Sequence, residues 1–381
     1  AIAAHTELAG RIDEGALPQT GGAFGGHFDG ILCTAVLMHL PDTDLLDAAL
    51  AIRRLLKLIG RVVLSIPASR GDVQSGNRDA GGRLFSPYSA DEISLLFERL
   101  GFAPIGRWSS EDVLGRSGTS WFTLLFERRS DGQQRPIDQI ESILNRDRKE
   151  ATYKLALIRA LAEIATQEAR AAVWSGTGTV GVPIRRISER WLLYYWPVFA
   201  HPDKIPQSKA EAAGGKPLKF RSALSELMEP FTHQGSHAGL TTWHLARTAD
   251  QLDAITRARL DVVLRSLADA IRSGPVAYSG SGLHSGPVFS YDAKSRLVLM
   301  PTELWREFSL LGHWIADAVV VRWAGLTQQI AHRQGIDAGD VLPLLLAKPE
   351  ASRSTQLARD TYMEAGVSAC TWSQRPLKGT F

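Results

Sequence analysis

The sequence predicts an α/β N-terminal third built on a partial sheet, followed by a mainly α-helical domain with a β-hairpin. Three observations predict this. Residues 1–130 alternate strand-length apolar runs with segments of helical period. Residues 130–136 (SDGQQRP) are polar and break both periods, which places a domain boundary between 130 and 131. Beyond them almost every patterned segment has helical spacing.

The elements of the first third follow in order. Residues 3–12 read as a helix, and 28–36 (FDGILCTAV) as a strand. Residues 44–58 place Leu45, Leu46, Ala49, Ile52, Leu55 and Leu56 at helical spacing, and Gly60 is the expected stop. Residues 61–66 (RVVLSI) form a β-branched strand closed by Pro67. Ser89, with Glu92 three residues on, is a capping-box start for a helix over 89–100, which Gly101 ends. Residues 102–108 and 121–128 are the last two strands and could pair as an antiparallel edge hairpin. Continuous apolar strands separated by helices argue a parallel sheet covered on both faces. Residues 69–82, rich in Gly, Asp, Arg and Asn, follow a strand where open α/β sheets place their sites.

The second region has helical candidates at 137–167, 184–195, 218–228, 249–273, 302–333 and 352–365. A β-hairpin is expected at 287–301, turning at 292–295, and a surface loop at 204–215.

Bulk properties narrow the classes. The 381 residues suffice for two or three domains. At 44% hydrophobic and 22% charged, the chain has ample core material. A formal net charge of +3 is too near neutral to argue nucleic-acid or membrane binding for the whole molecule. No apolar run reaches the roughly 18 residues of a membrane-spanning helix. The opening AIAAHTELAG lacks the basic and apolar regions of a signal peptide. Cys33 and Cys370, so far apart, make no disulfide framework, and a reducing cytoplasm is the expected location. The chain starts without Met in what reads as mid-helix, which predicts a fragment.

Residues 28–67, FDGILCTAVLMHLPDTDLLDAALAIRRLLKLIGRVVLSIP, carry the strongest motif. The segment resembles the class I S-adenosylmethionine-dependent methyltransferases. In that pattern a Phe-Asp strand leads to Val-Leu-x-His-Leu, a helix with Arg and Leu-Lys, a Gly turn and a strand ending in Pro. The segments RLFSPYSADEISLLFERLGFAPIGRW and WFTLLFERR resemble the family's later strands. The resemblance implies a Rossmann-like fold, with S-adenosylmethionine as cofactor and a site that mainly aligns the acceptor and excludes water. It places Thr34, Ala35 and Val36, at the tip of the family's fourth strand, along the cofactor. His39 matches the family's His after that strand, either as a packing or capping residue or in a catalytic role. Residues 14–18 (EGALP) match the segment on the adenine side, at Ala16 and Leu17. Ala16 stands where the family has the Asp that meets the adenine amine. The family's Asp-x-Gly-x-Gly loop and ribose-holding acid have no counterpart. Residues 21–26 (GGAFGG) precede a strand instead of following one and read as a loop. The chain alone is therefore expected to bind the cofactor poorly.

The segments at 135–165, 182–199 and 297–327 resemble the helical region before the nuclease module of bacterial HNH endonuclease proteins, and 353–381 resembles the entrance to that module. The chain stops before the expected Asp-His pair, so a divalent metal is implied only with that module. The other histidines, such as His201, His233, His237, His244 and His313, show no ligand-like spacing, and Gly235 and Gly239 speak against a helix bearing His233 and His237. Arg146, Arg148 and Lys149 form one basic stretch, continued by Lys154 and Arg159; Arg185, Arg186 and Arg190 form another. Each is either a solvated helix face or a track for phosphates. The aromatic crowd at 191–196, and Trp305, Trp314 and Trp323 at nine-residue spacing, read as core before base stacking.

The expected function is a methyltransferase fused to a nuclease-associated region, with DNA or RNA as a possible partner and no membrane. The alternative is a nucleic-acid-binding or scaffold module without activity. Against DNA as acceptor, the chain has His39-Leu40-Pro41-Asp42 near where DNA methylases carry Asn-Pro-Pro-Tyr.

Overall fold

A computed structural model describes residues 12, 14–19, 28–71, 73, 76–116, 118–130, 135–176, 178–234, 236–280, 287–333 and 335–349. The helix expected at 3–12 (save Ile12), the Gly-rich loop at 21–26, the helix at 352–365 and the segment at 353–381 lie outside them.

The first layer is a four-stranded sheet made of β1 (Phe28–Thr34), β2 (Leu56–Ser69), β3 (Phe102–Glu111) and β4 (Ser120–Arg128), in the order β1-β2-β4-β3. Only β1 and β2 are parallel; β4 runs antiparallel to both its neighbours. The expected parallel sheet is thus a mixed one. β3 and β4 do form a hairpin, but β4 inserts into the sheet and only β3 is at the edge. Pro67 does not close β2, because it lies within the pairing, opposite Trp121.

Helix α1 (Asp42–Leu55) follows β1. Asp42 and Asp44 in its first turn and Arg53 and Arg54 in its last complement the helix dipole. It ends before Gly60: Leu56 is already extended, and Gly60 lies within β2. Seven of its residues, among them Leu45, Ala48, Leu50 and Ile52, are buried. A helix apolar on all sides must be covered on all sides, and α1 packs both on β2 and on a long helix described below. Helix α2 (Ala90–Arg99) starts at the expected capping box: the Glu92 backbone N–H donates to the Ser89 hydroxyl, and the Ser89 N–H to the Glu92 carboxylate. The sheet face carrying Val62, Leu64, Leu124 and Phe126 is buried under α1 and α2. The opposite face leaves Leu32 73% and Trp108 53% exposed, where a sheet covered on both faces was expected.

The stretch expected as one helix over 137–167 is two, α3 (Pro136–Asn145) and α4 (Tyr153–Gln167). Between them the polar run from Arg146 to Thr152 pairs with another strand-like segment: Thr152 N–H donates to Gln207 O, and Lys209 N–H to Glu150 O. β5 (Val173–Trp174) and β6 (Thr179–Pro183) precede α5 (Ile184–Phe199) and were not foreseen. Then come α6 (Lys209–Ala212), α7 (Arg221–Met228), α8 (Ser236–Thr248) and α9 (Ala254–Ile271). α8 runs through Gly239 but starts after His233, so no single α-helix bears both His233 and His237. A Cβ at Gly239 would stand 2.5 Å from the Phe231 carbonyl oxygen, so close packing selects the glycine. The expected hairpin forms as β7 (Ser290–Asp292) and β8 (Leu297–Pro301), with Asp292 accepting from the Lys294 N–H in the turn. The second sheet is antiparallel, in the order β5-β6-β8-β7. β8 runs into α10 (Thr302–His332), and α11 (Leu342–Leu346) follows.

α10 has 31 residues, so it is roughly 46 Å long at 1.5 Å per residue. It packs against α1, α3, α4 and α11. Trp305, Trp314 and Trp323 are all buried, as are Trp191, Tyr194, Tyr195 and Trp196 of α5. The Trp323 indole N–H donates to the buried Gln207 amide oxygen at 2.8 Å. One apolar cluster runs through both layers. No helix among the described residues is long and apolar enough to cross a membrane.

The α4–α10 contact is tightest at Gly312, where a Cβ would meet the Ala162 carbonyl oxygen at 2.7 Å. Gly312→Ala should therefore destabilise the protein by about 1–3 kcal/mol through overpacking. Gly325→Ala on the same helix, where a Cβ meets nothing within 4 Å, should stabilise it by about 0.5–1 kcal/mol. Denaturant unfolding of both variants checks the pair.

Candidate functional site

β1 ends at Thr34, opposite Ser65, while β2 runs on to Ser69. The chain turns sharply there. Ala35 takes φ +56°, and its N–H donates to the Ser65 hydroxyl at 2.9 Å and to the Ser65 carbonyl at 3.2 Å. Thr34, Ala35 and Val36 are exposed on this edge. A 3₁₀ turn (Leu37–His39) then buries Leu37 and Met38 before α1 begins.

His39 lies at the end of that turn, half-buried. Its Nδ1 is 2.7 Å from the Leu84 carbonyl oxygen. A carbonyl only accepts, so Nδ1 carries the proton and Nε2 is the remaining ring nitrogen. The ring also meets Phe85 edge-on at 4.6 Å, and the Arg70 guanidinium sits 4.1 Å from the Phe85 centroid. The segment around Phe85 is bound to the turn by three further contacts: the Ser86 N–H donates to Met38 O, and the Ser86 and Tyr88 hydroxyls to Leu40 O. Burial, foremost, pushes the Tyr88 phenol well up. Upstream, Asp79 accepts from the backbone N–H groups of Arg83 and Gly81 and from the Arg83 guanidinium. These bonds, the one from the Arg83 backbone first, hold its carboxyl below the usual range. The loop after β2 is thus a built wall beside the edge. Ser65, Leu84 and Phe85 lie 30 or more residues from the groups they hold; the polar composition of 69–82 points to the loop but not to these residues.

Residues 16–19, which include the segment expected on an adenine side, form a tight turn in which the Gln19 N–H donates to Ala16 O. Ala16 is exposed, and Leu17 packs against the core. The site is lined by main chain and aromatic or aliphatic groups. It suits recognition by shape and backbone contact more than acid–base chemistry.

The basic residues go elsewhere. Arg146 is exposed on the α3–α4 connection. Arg148 pairs with Glu150, while the Lys149 ammonium donates to Asp147 O at 3.0 Å. Arg185 and Arg186 on α5 both reach Glu189 at 3.4 Å. The two stretches read as phosphate tracks are thus largely engaged with acidic or carbonyl groups of their own surroundings. Among the described residues no group of three or more His, Cys, Asp or Glu side chains is placed to hold a metal ion.

Burial, with Lys154 and Arg322 nearby, pushes the Lys149 ammonium down to about 8, against an opposing pull from Asp147. A base whose folded pKa lies below its unfolded value costs stability while it is charged in the fold. That cost is present below about pH 8 and is relieved as pH rises toward 10.5, the ordinary lysine value. Lys149→Met should gain stability at pH 7, on the order of 1 kcal/mol. The gain should shrink by pH 10, as read by denaturant unfolding across that range. At the edge, Ala35→Gly should stabilise by about 0.5–1 kcal/mol because it removes a left-handed alanine, and Ala35→Val should cost more than that. Thermal unfolding of the two variants checks this.

The solved structure of Burkholderia thailandensis 1,6-didemethyltoxoflavin-N1-methyltransferase, with bound 1,6-didemethyltoxoflavin and S-adenosylhomocysteine, is similar over 28% of this chain. The identity is 18% and the TM-score 0.23. The match spans 45% of that protein, less than half its length. A likeness of this extent assigns neither ligand nor activity. No curated protein matches the sequence. A family model described as a domain of unknown function (DUF8808) matches residues 133–345, from the start of α3 into α11. That is more than half of the sequence, and the chain belongs to this family.

Proposed function

We propose that residues 1–130 are part of a class I, S-adenosylmethionine-dependent methyltransferase domain, fused to a mainly helical domain over 131–381. The observation that supports this reading is the exposed carboxyl edge at Thr34, Ala35 and Val36, followed at once by the His39 turn. Open α/β sheets take their ligands outside the carboxyl ends of parallel strands, and β1 and β2 are the parallel pair. The order of this edge, the turn, α1 and β2 is also the order that the methyltransferase resemblance requires.

The residues present fit one side of such a cofactor. Thr34, Ala35 and Val36 would line it along the strand ends, with Ala16 and Leu17 as the proposed adenine-side segment. The Asp-x-Gly-x-Gly loop that would hold the other side has no counterpart in the sequence. S-adenosylmethionine, when bound, supplies a methyl group on a sulfonium leaving group. The chain's own part is positional. The bond from Ala35 to Ser65 fixes the edge, and His39 pins the Leu84–Phe85 wall that keeps water from it. Nucleic acid as methyl acceptor, and a link to HNH nucleases with their divalent metal, draw on sequence segments alone.

Calorimetric titration of S-adenosylhomocysteine into the natural full-length gene product tests the reading. Saturable binding is expected, weakened at least about tenfold by Val36→Arg, which places a long cation on the edge. Absence of binding by the full-length protein would overturn it.

A further inference from the structure

A second concave site lies far from the β1 edge in sequence, within the family region. It is a cleft of about 380 Å³ between α5 and α8, lined by Arg186, Glu189, Arg190, Leu193, His244 and Arg247, with Glu168 at its end. Its charges do not balance. Glu189 is shared by three guanidiniums: Arg247 at 2.7 Å, and Arg185 and Arg186 at 3.4 Å each. Arg190 bridges Glu168 at 2.7 Å and Glu163 at 3.3 Å, and Glu163 also holds Arg159 at 2.9 Å. Of these five arginines Arg159 is buried on Glu163 and lies outside the cleft lining; the other four share Glu189, Glu168 and Glu163, which leaves the cleft with a surplus of one positive charge among the described residues.

The least constrained of the five face solvent. Arg185 is 65% and Arg186 54% exposed, and each makes a single long contact to Glu189. They can turn to a ligand at little cost, while Arg190 and Arg247, mostly covered, are held in place. Arg247 is also braced by the Trp243 ring, 5.5 Å from its centroid. Beside it, the buried Nδ1 of His244 has no hydrogen-bond partner among the described residues. Burial, with Arg247 adding, holds that imidazole below its ordinary pKa, a penalty that a bound anion would offset.

We propose that this cleft binds a phosphate monoester of sugar-phosphate size. The surplus of guanidinium over carboxylate groups favours an anion, and a monoester carries close to two negative charges near neutral pH. Guanidinium groups bind phosphate oxygens in pairs. A cleft of this volume lies within the usual range for small-ligand sites, whereas a nucleic-acid backbone asks for an extended track of singly charged diesters.

Calorimetric titration of the full chain at low ionic strength, with ribose 5-phosphate, inorganic phosphate, ribose and a single-stranded oligonucleotide as separate probes, tests this. Ribose 5-phosphate should bind, inorganic phosphate should compete with it more weakly, and ribose should not bind. Arg186→Gln should weaken ribose 5-phosphate about tenfold at an unchanged unfolding midpoint, the loss of one charge-assisted contact. If Arg186→Gln does not fold, Arg185→Gln carries the same test. Failure of ribose 5-phosphate to bind, binding indifferent to both substitutions, or binding of the oligonucleotide alone would each overturn the proposal.

Discussion

The arrangement depends on one steric constraint, the double burial of α1. A helix with Leu45, Leu46, Ala48, Ala49, Leu50, Ala51 and Ile52 all inside cannot be the outer layer of a sheet. It needs a second partner, and α10 is that partner. The sheet layer and the helical layers therefore share one core. The same helix must also lie close to α4, and Gly312 is the residue that lets the two backbones approach.

Charged pairs fix the register of this packing. Arg322 of α10 forks onto Asp47 of α1, and Arg99 of α2 onto Glu307 of α10. Arg53 reaches Asp138 of α3 at 2.5 Å. Glu307 is wholly buried, and one of its oxygens has no partner among the described residues. Burial outweighs the pull of Arg99 and raises its carboxyl above the usual range. By the sign of that shift, the pair favours the fold less as pH rises through the carboxylate range. Such a pair adds little net stability, since desolvation offsets attraction. Its effect is on alignment: a slip of α10 by one turn would leave Glu307 buried without any cation.

What was legible in the sequence is what is local. The capping box at Ser89, the strand at β1, the β7–β8 turn and the whole of α10 follow from period and turn chemistry, and all form where expected. What was not legible is set by distant partners. The place of β4 between β2 and β3 depends on pairings up to 66 residues apart, such as Arg61 with Glu127. The break after Asn145 depends on Gln207, and the helix through Gly239 on the carbonyl of Phe231. The candidate site divides the same way. Thr34, Ala35 and Val36 are named by the family resemblance, on a strand whose apolar run the sequence shows. Ser65 and Leu84, which hold that end and His39 in place, carry no local signal at all.

The two concave regions differ in kind, and the difference bears on what each can recognise. At the β1 edge Thr34, Ala35 and Val36 carry no charge, Ala35 is fixed by Ser65, and the charges of the wall are engaged within it, Arg83 on Asp79 and Arg70 over Phe85. Such a surface discriminates chiefly by shape and main-chain contact. The α5–α8 cleft holds its arginines against too few glutamates, so its selectivity comes from charge and is screened as ionic strength rises. Arg190 of that cleft pairs with Glu163 on α4, which packs directly on α10. α1, on the other side of α10, begins directly after the His39 turn. The helices that carry both regions therefore belong to one packed body, in which α10 sets the position of each.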